Sequence, residues 1–241
     1  IETITKEVTV TVKEDDLFTA AVEKNIGKIA KVFPAGMATG TKHMTIATLL
    51  SKDGVLIADR GSLIVDGAFL EKYIVVFPDG VSADAIVLGR ENYKDTNPEQ
   101  IAFLKITPPE NAPLPVGWSG TLDPKLGQTI AVIGGASGDE ALKASISRIN
   151  RETSGEGTSS VTTIISAETT PTVSNLYRGS PVFNLDGSIV GFIVRREEEG
   201  NVVLPIRRVI DIVNAIQKGL GDKEKSVTVA PSETPTAGAI N

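Results

Sequence analysis

Short runs of Val, Ile, Leu and Thr, broken by Gly, Pro, Asn or Asp at intervals of roughly eight to twelve residues, give the chain the rhythm of an all-β fold built from hairpins. In the first half such runs cover residues 29–33, 43–50, 54–57, 62–65, 73–77, 84–88 and 101–106. Lys52-Asp53-Gly54 and Pro78-Asp79-Gly80 carry the residues that tight turns need, with glycine where a positive φ is expected. After a stiff Pro-rich connector over 108–115, the second half repeats the grammar at 129–133, 144–150, 161–167, 181–184, 188–194 and 202–204. Two β halves follow. The spacing of Leu17, Phe18, Ala21, Val22 and Ile26 predicts a short helix in front of them, with Asp15 and Asp16 at its N-cap. A second helix is expected after Pro205, with Val209, Ile212, Val213 and Ile216 as its apolar stripe and Gly219 as its stop. Residues 1–14 alternate like an extended arm, and 220–241 have the composition of a flexible tail or linker.

Composition narrows the function. With 241 residues and 41% hydrophobic side chains, the chain can bury a substantial core. A net charge of -6 offers no field for nucleic acid or anionic membranes. No run of about twenty apolar residues is present, so no membrane insertion is expected in this chain, and nothing at its start resembles a signal peptide. Its start at Ile1 leads us to expect an upstream segment. The absence of cysteine excludes disulfides and a thiol nucleophile.

Four stretches carry a family resemblance. Residues 178–192, Arg-Gly-Ser-Pro-Val-Phe-Asn-Leu-Asp-Gly-Ser-Ile-Val-Gly-Phe, resemble the G-N-S-G-G-P-L-x-N-x-x-G-x-[VI]-[VI]-G-[IF] motif of the trypsin-like serine proteases, in their HtrA-like bacterial branch. Residues 200–206, Gly-Asn-Val-Val-Leu-Pro-Ile, are similar to the G-x-G-F-A-I-P before that family's last helix. Residues 127–134 and 100–106 resemble its G-[DQ]-x-V-x-A-I-G and D-I-A-[LV]-L-[KR]-[IV] strands. The resemblance spans about 16–218. It implies a chymotrypsin-like double β-barrel over 15–219, with a first barrel at about 28–107, a second at about 120–204 and a C-terminal helix at about 206–218. It also implies an extracytoplasmic setting, in the periplasm or at the cell surface, where such domains often follow a membrane anchor.

The family's chemistry needs a serine, a histidine to take its proton, a carboxylate to orient the imidazole and backbone donors for the oxyanion. Counting back from Pro181 puts Arg178 at the serine, with Tyr177 and Leu176 where the family has Asn and Gly. Counting from Ile101 puts Gln100 at the aspartate, and counting from Gly54 puts Gly61 at the histidine. An arginine cannot attack a carbonyl, an amide cannot balance an imidazolium, and glycine carries no base. The resemblance therefore implies a pseudoprotease with a degenerate triad at Gly61, Gln100 and Arg178. Such a protein would serve as an interaction or scaffolding module for a protein or peptide, its vestigial cleft contacting ligand through Tyr177, Arg178, Ser180 and Phe192.

Rival readings are weaker. Ser180 would be the nucleophile only if the loop shifted by one or two residues, and it would then need a lysine such as Lys105 or Lys143 as base. A structural spacer needs no cleft at all. The sole histidine, His43, reads as a strand residue without chemistry. Arg178 is either an idle loop cation or a grip for an acidic group. Leu176 and Ser180 replace two glycines that shape the oxyanion hole. Residues 134–138 lack the GK[ST] and βαβ context of a phosphate loop and read as a turn. Asp15-Asp16 and Glu197–Glu199 read as a helix cap and a solvated hairpin tip, so neither metal nor cofactor is expected.

Overall fold

The computed structural model describes residues 13–36, 42–89, 100–116, 123–135, 137–154, 161–196 and 199–226. Of the expected arm over 1–14 and tail over 220–241, residues 1–12 and 227–241 lie outside the described residues, while Glu14 opens a helix and 220–226 continue the last one, where no helix is expected. The core is two closed antiparallel barrels of six strands each. The first is formed by β1 (Ile29–Pro34), β2 (Thr45–Leu49), β3 (Val55–Asp59), β6 (Tyr73–Val76), β7 (Ser82–Val87) and β8 (Ile101–Ile106), in the order β1-β2-β3-β8-β7-β6. A two-residue hairpin, β4 (Ile64–Val65) and β5 (Ala68–Phe69), stands outside it. The second contains β9 (Thr129–Gly134), β10 (Glu140–Ser154), β11 (Val161–Thr170), β12 (Pro181–Asn184), β13 (Ile189–Arg196) and β14 (Gly200–Pro205). Closure pairs the barrel strands on both sides and leaves no long open edge. This is the expected double barrel.

Three apolar clusters explain why sequence alternation is so faint. Val32, Leu49, Leu56, Tyr73, Phe77 and Leu104 help to fill the first barrel, and Ile130, Val132, Ile146, Val182, Ile193 and Val203 help to fill the second. The third cluster lies outside both: Ile57, Ile101 and Phe103 from one barrel meet Phe183, Phe192 and Leu204 from the other, together with Val209, Val213 and Ile216 of the last helix. Strands at this seam are buried on both faces, so β3 is buried at every position and reads as a continuous apolar run.

Three sequence expectations need correction. The first helix, α1 (Glu14–Ile26), has Lys13 at its N-cap with no side-chain cap bond. Asp15 and Asp16 lie in its first turn instead, where carboxylates suit the positive end of the helix dipole, and Lys143 Nζ reaches Asp15 at 2.8 Å and Glu14 at 3.1 Å. Residues 60–63, in part expected as strand, form a one-turn helix, α2 (Arg60–Leu63), because the Asp59 side chain accepts the Ser62 N–H at 2.8 Å and caps it. The last helix, α3 (Ile206–Ser226), runs through Gly219.

Candidate functional site

Three close backbone approaches bring the triad-like positions to one place. Strand β3 delivers Asp59 opposite Ile101 of β8, and the Arg60 N–H donates to the Gln100 carbonyl at 3.1 Å. Gln100 therefore lies against the start of the helix that carries Gly61. From the second barrel, Gly179 rests on the same helix start: a Cβ placed on it would lie 2.7 Å from the Asp59 nitrogen. Its φ of +80° is the left-handed conformation that glycine adopts freely. The elbow bearing Arg178 thus closes onto Asp59, and Gly61, Gln100 and Arg178 gather at one end of the seam between the barrels.

Local bonding decides what the elbow can do. Residues Asn175–Tyr177 form a 3-10 turn, capped by Ser174. The Leu176 N–H donates to Ser174 Oγ and the Arg178 N–H to the Asn175 carbonyl, both at 3.4 Å. An oxyanion hole requires two free backbone N–H groups aimed at one point. Those of positions 176 and 178 are turned into the turn itself. The Tyr177 hydroxyl donates to Glu140 Oε2 at 3.4 Å, and burial together with the negative charge of Glu140 raises its pKa.

The other candidates are placed unambiguously. Ser180 is completely buried, with its Oγ facing Gly134 and no hydrogen-bond partner. Lys105 and Lys143, the bases it would have needed, are held elsewhere, by Asp53 at 2.9 Å and by the first turn of α1. Phe192 is completely buried in the inter-barrel cluster and presents no surface to a ligand. Of the proposed cleft residues, Tyr177 and Arg178 retain partial exposure. His43 stands before β2, not within the strand, with its ring edge-on to Phe33 at 6.2 Å between centroids. Residues 134 and 135 lie at the turn between β9 and β10, as expected. Residue 136 lies outside the described residues, and no group of three or more acidic or His residues among those described could hold a metal.

Sequence reasoning missed one polar cluster beside the site. Glu199, read as solvated, accepts hydrogen bonds from Ser166 Oγ at 2.6 Å and Asn150 Nδ2 at 2.9 Å, and Arg196 lies 3.5 Å from it. Residues 197 and 198 lie outside the described residues. Burial pushes the Glu199 carboxyl up, but the Ser166 and Asn150 bonds and the Arg196 charge outweigh it and hold the pKa below the ordinary value of 4.5. A depressed folded-state pKa contributes stability that is complete above the ordinary value and lost as pH falls through the folded one. The stability difference between the natural chain and Glu199→Gln, followed by urea unfolding against pH, should therefore hold constant at neutral pH and shrink under acid. A difference that grows under acid would contradict this bonding.

Strand β13 outruns its ladder with β12. Its ladder with β12 begins at Phe192, and Ile193 exchanges backbone bonds with Ser180 and Gly179 at 2.9 and 2.8 Å. The ladder with β14 continues to Arg196. Arg195 thus follows the elbow contact with the β12 side of its backbone unpaired among the described residues.

Comparison with known proteins places this geometry. A solved serine endoprotease from Yersinia pestis superposes with a TM-score of 0.58 at 17% identity, covering 88% of this chain and 69% of that one. The apo MamO protease domain from Magnetospirillum magneticum superposes at 0.55 with 14% identity, covering 77% of this chain and 95% of that one. At such identities the likeness establishes the fold alone. No curated protein matches the chain. The model of the trypsin-like peptidase domain matches residues 44–192, more than half the sequence, and with two six-stranded barrels and an elbow at the seam between them, the chain belongs to the trypsin-like peptidase domain family.

Proposed function

We propose that this chain is a non-catalytic member of its family, a pseudoprotease that binds an extended protein or peptide segment in the cleft and serves as an interaction or scaffolding module. The observation that carries the reading is the meeting of Gly61, Gln100 and Arg178 at one place, since none of the three is a nucleophile, a base or an orienting carboxylate. The bonded N–H groups of Leu176 and Arg178 support it, since a tetrahedral oxyanion would find no donors there. The β12 side of the Arg195 backbone, unpaired among the described residues, supplies a flank along which an extended segment can add as a strand. A working peptidase through Ser180 has no supporting observation, because that hydroxyl is buried beyond the reach of substrate.

We also place the domain outside the cytoplasm, on its HtrA-like motifs. Among the described residues no helix is long and apolar enough to cross a membrane.

The test is a peptidase assay on unfolded casein. The natural chain is expected to give no turnover, and Ser180→Ala no change. Installing Gly61→His, Gln100→Asp and Arg178→Ser, with Leu176→Gly to release the oxyanion turn, should yield slow but measurable hydrolysis. Turnover by the natural chain that Ser180→Ala abolishes would sink the proposal.

A further inference from the structure

The chain holds an unpaired guanidinium where its relatives' motif has a nucleophile. Arg178 is half-buried, and its Nε is out of contact with solvent and without a hydrogen-bond acceptor. Arg148, Arg196 and Arg207 have carboxylates at 3.2, 3.5 and 3.5 Å, while Arg178 makes no ion pair among the described residues. The adjacent acid is already engaged: Asp59 Oδ2 accepts both the N–H and the Oγ of Ser62, at 2.8 and 2.6 Å. A buried donor without an acceptor is a standing energetic cost. An incoming acceptor would remove it.

Two neighbours define what that acceptor belongs to. Arg195 is exposed and likewise makes no ion pair. It follows Ile193 by two residues on β13, so its side chain leaves the same face roughly 7 Å further along the strand, and Ile193 is itself bonded to Gly179 and Ser180 of the elbow. Leu176, two residues before Arg178, is 61% exposed, an apolar side chain at the elbow. Arg178 and Arg195, beside an exposed leucine, thus offer two guanidinium groups that no carboxylate among the described residues binds directly, with an apolar rim.

Resting on the non-catalytic, peptide-binding reading, we infer that the cleft selects acidic segments: an extended peptide alongside Arg195 of β13, with one carboxylate held by Arg178, a second acidic side chain near Arg195 and an apolar residue against Leu176. Arginine suits this task because its fork of N–H donors matches a carboxylate in two parallel bonds, which lysine cannot reproduce.

The experiment measures fluorescence anisotropy of dye-labelled synthetic peptides alternating Val with Glu, Gln or Lys, titrated with the full chain. The Glu peptide is expected to bind about tenfold or more tighter than the Gln peptide, and its advantage should fall as salt rises. Arg178→Gln should abolish that advantage, Arg178→Lys retain part of it and Arg195→Gln weaken it, with circular dichroism confirming that each variant is folded. Equal binding of the Glu and Gln peptides, or an advantage undiminished in folded Arg178→Gln, would overturn acidic selection and leave the non-catalytic reading standing. Cleavage of a bound peptide, followed by mass spectrometry, would overturn that reading itself. Failure of all three peptides to bind at millimolar concentration would overturn both.

Discussion

Gly179→Ala is expected to destabilise the chain by about 2–5 kcal/mol, the sum of left-handed strain and forced overpacking. The position has a φ of +80°, and a methyl there would stand 2.7 Å from the Asp59 nitrogen and 3.3 Å from its Cβ. Backbone cannot swing aside as a flexible side chain can. The second barrel must then lift its elbow off the first, at the place where Ile193 and Gly179 exchange a backbone bond. Gly80→Ala separates the two causes, since its φ of +86° is equally left-handed but nothing lies within 4 Å. It should cost only the strain, about 1–2 kcal/mol. Urea unfolding of both variants measures the difference. Equal losses would mean that the elbow does not depend on its contact with Asp59.

Phe192→Ala should cost about 3–5 kcal/mol, as large-to-small changes of buried aromatic residues do. Phe192 is wholly inaccessible and packed in the cluster joining the barrels to α3. Its removal opens a cavity at the seam that the rigid strands on either side cannot fill. A direct ligand contact would behave differently, losing peptide affinity while the unfolding midpoint stayed in place. Thermal unfolding alongside the peptide titration distinguishes the two, and a stable, folded Phe192→Ala variant with impaired binding would restore Phe192 to the cleft.

The elements that read most clearly from sequence are those whose pattern is local. Residues 101–106 and 181–184 match β8 and β12 at both ends, because an apolar run bounded by a break is a self-contained signal. Gly187 reads as the β12–β13 turn, and the structure adds Asn184 Oδ1, which accepts the N–H groups of Asp186 and Ser188. Boundaries fail where a distant partner extends an element. Strand β10 begins at Glu140 because β9 supplies partners for residues 140–145, of which Glu140, Leu142 and Lys143 suggest no strand on their own. The one-turn α2 depends on a single side-chain cap, and a single cap is too small a feature for periodicity to reveal.

Sequence alone determined the all-β class, the two halves, the terminal helices and the absence of Ser, Asp and His from positions 178, 100 and 61. Residue types and their order along the chain are local facts, available before folding. Only the tertiary structure decided that these three positions meet, that Ser180 and Phe192 are buried and that Glu199 is bonded instead of solvated. It alone leaves Arg178 without an acceptor. Each of these depends on which backbone approaches which across the seam between the barrels, and residues so far apart in the chain carry no periodic trace of their contact.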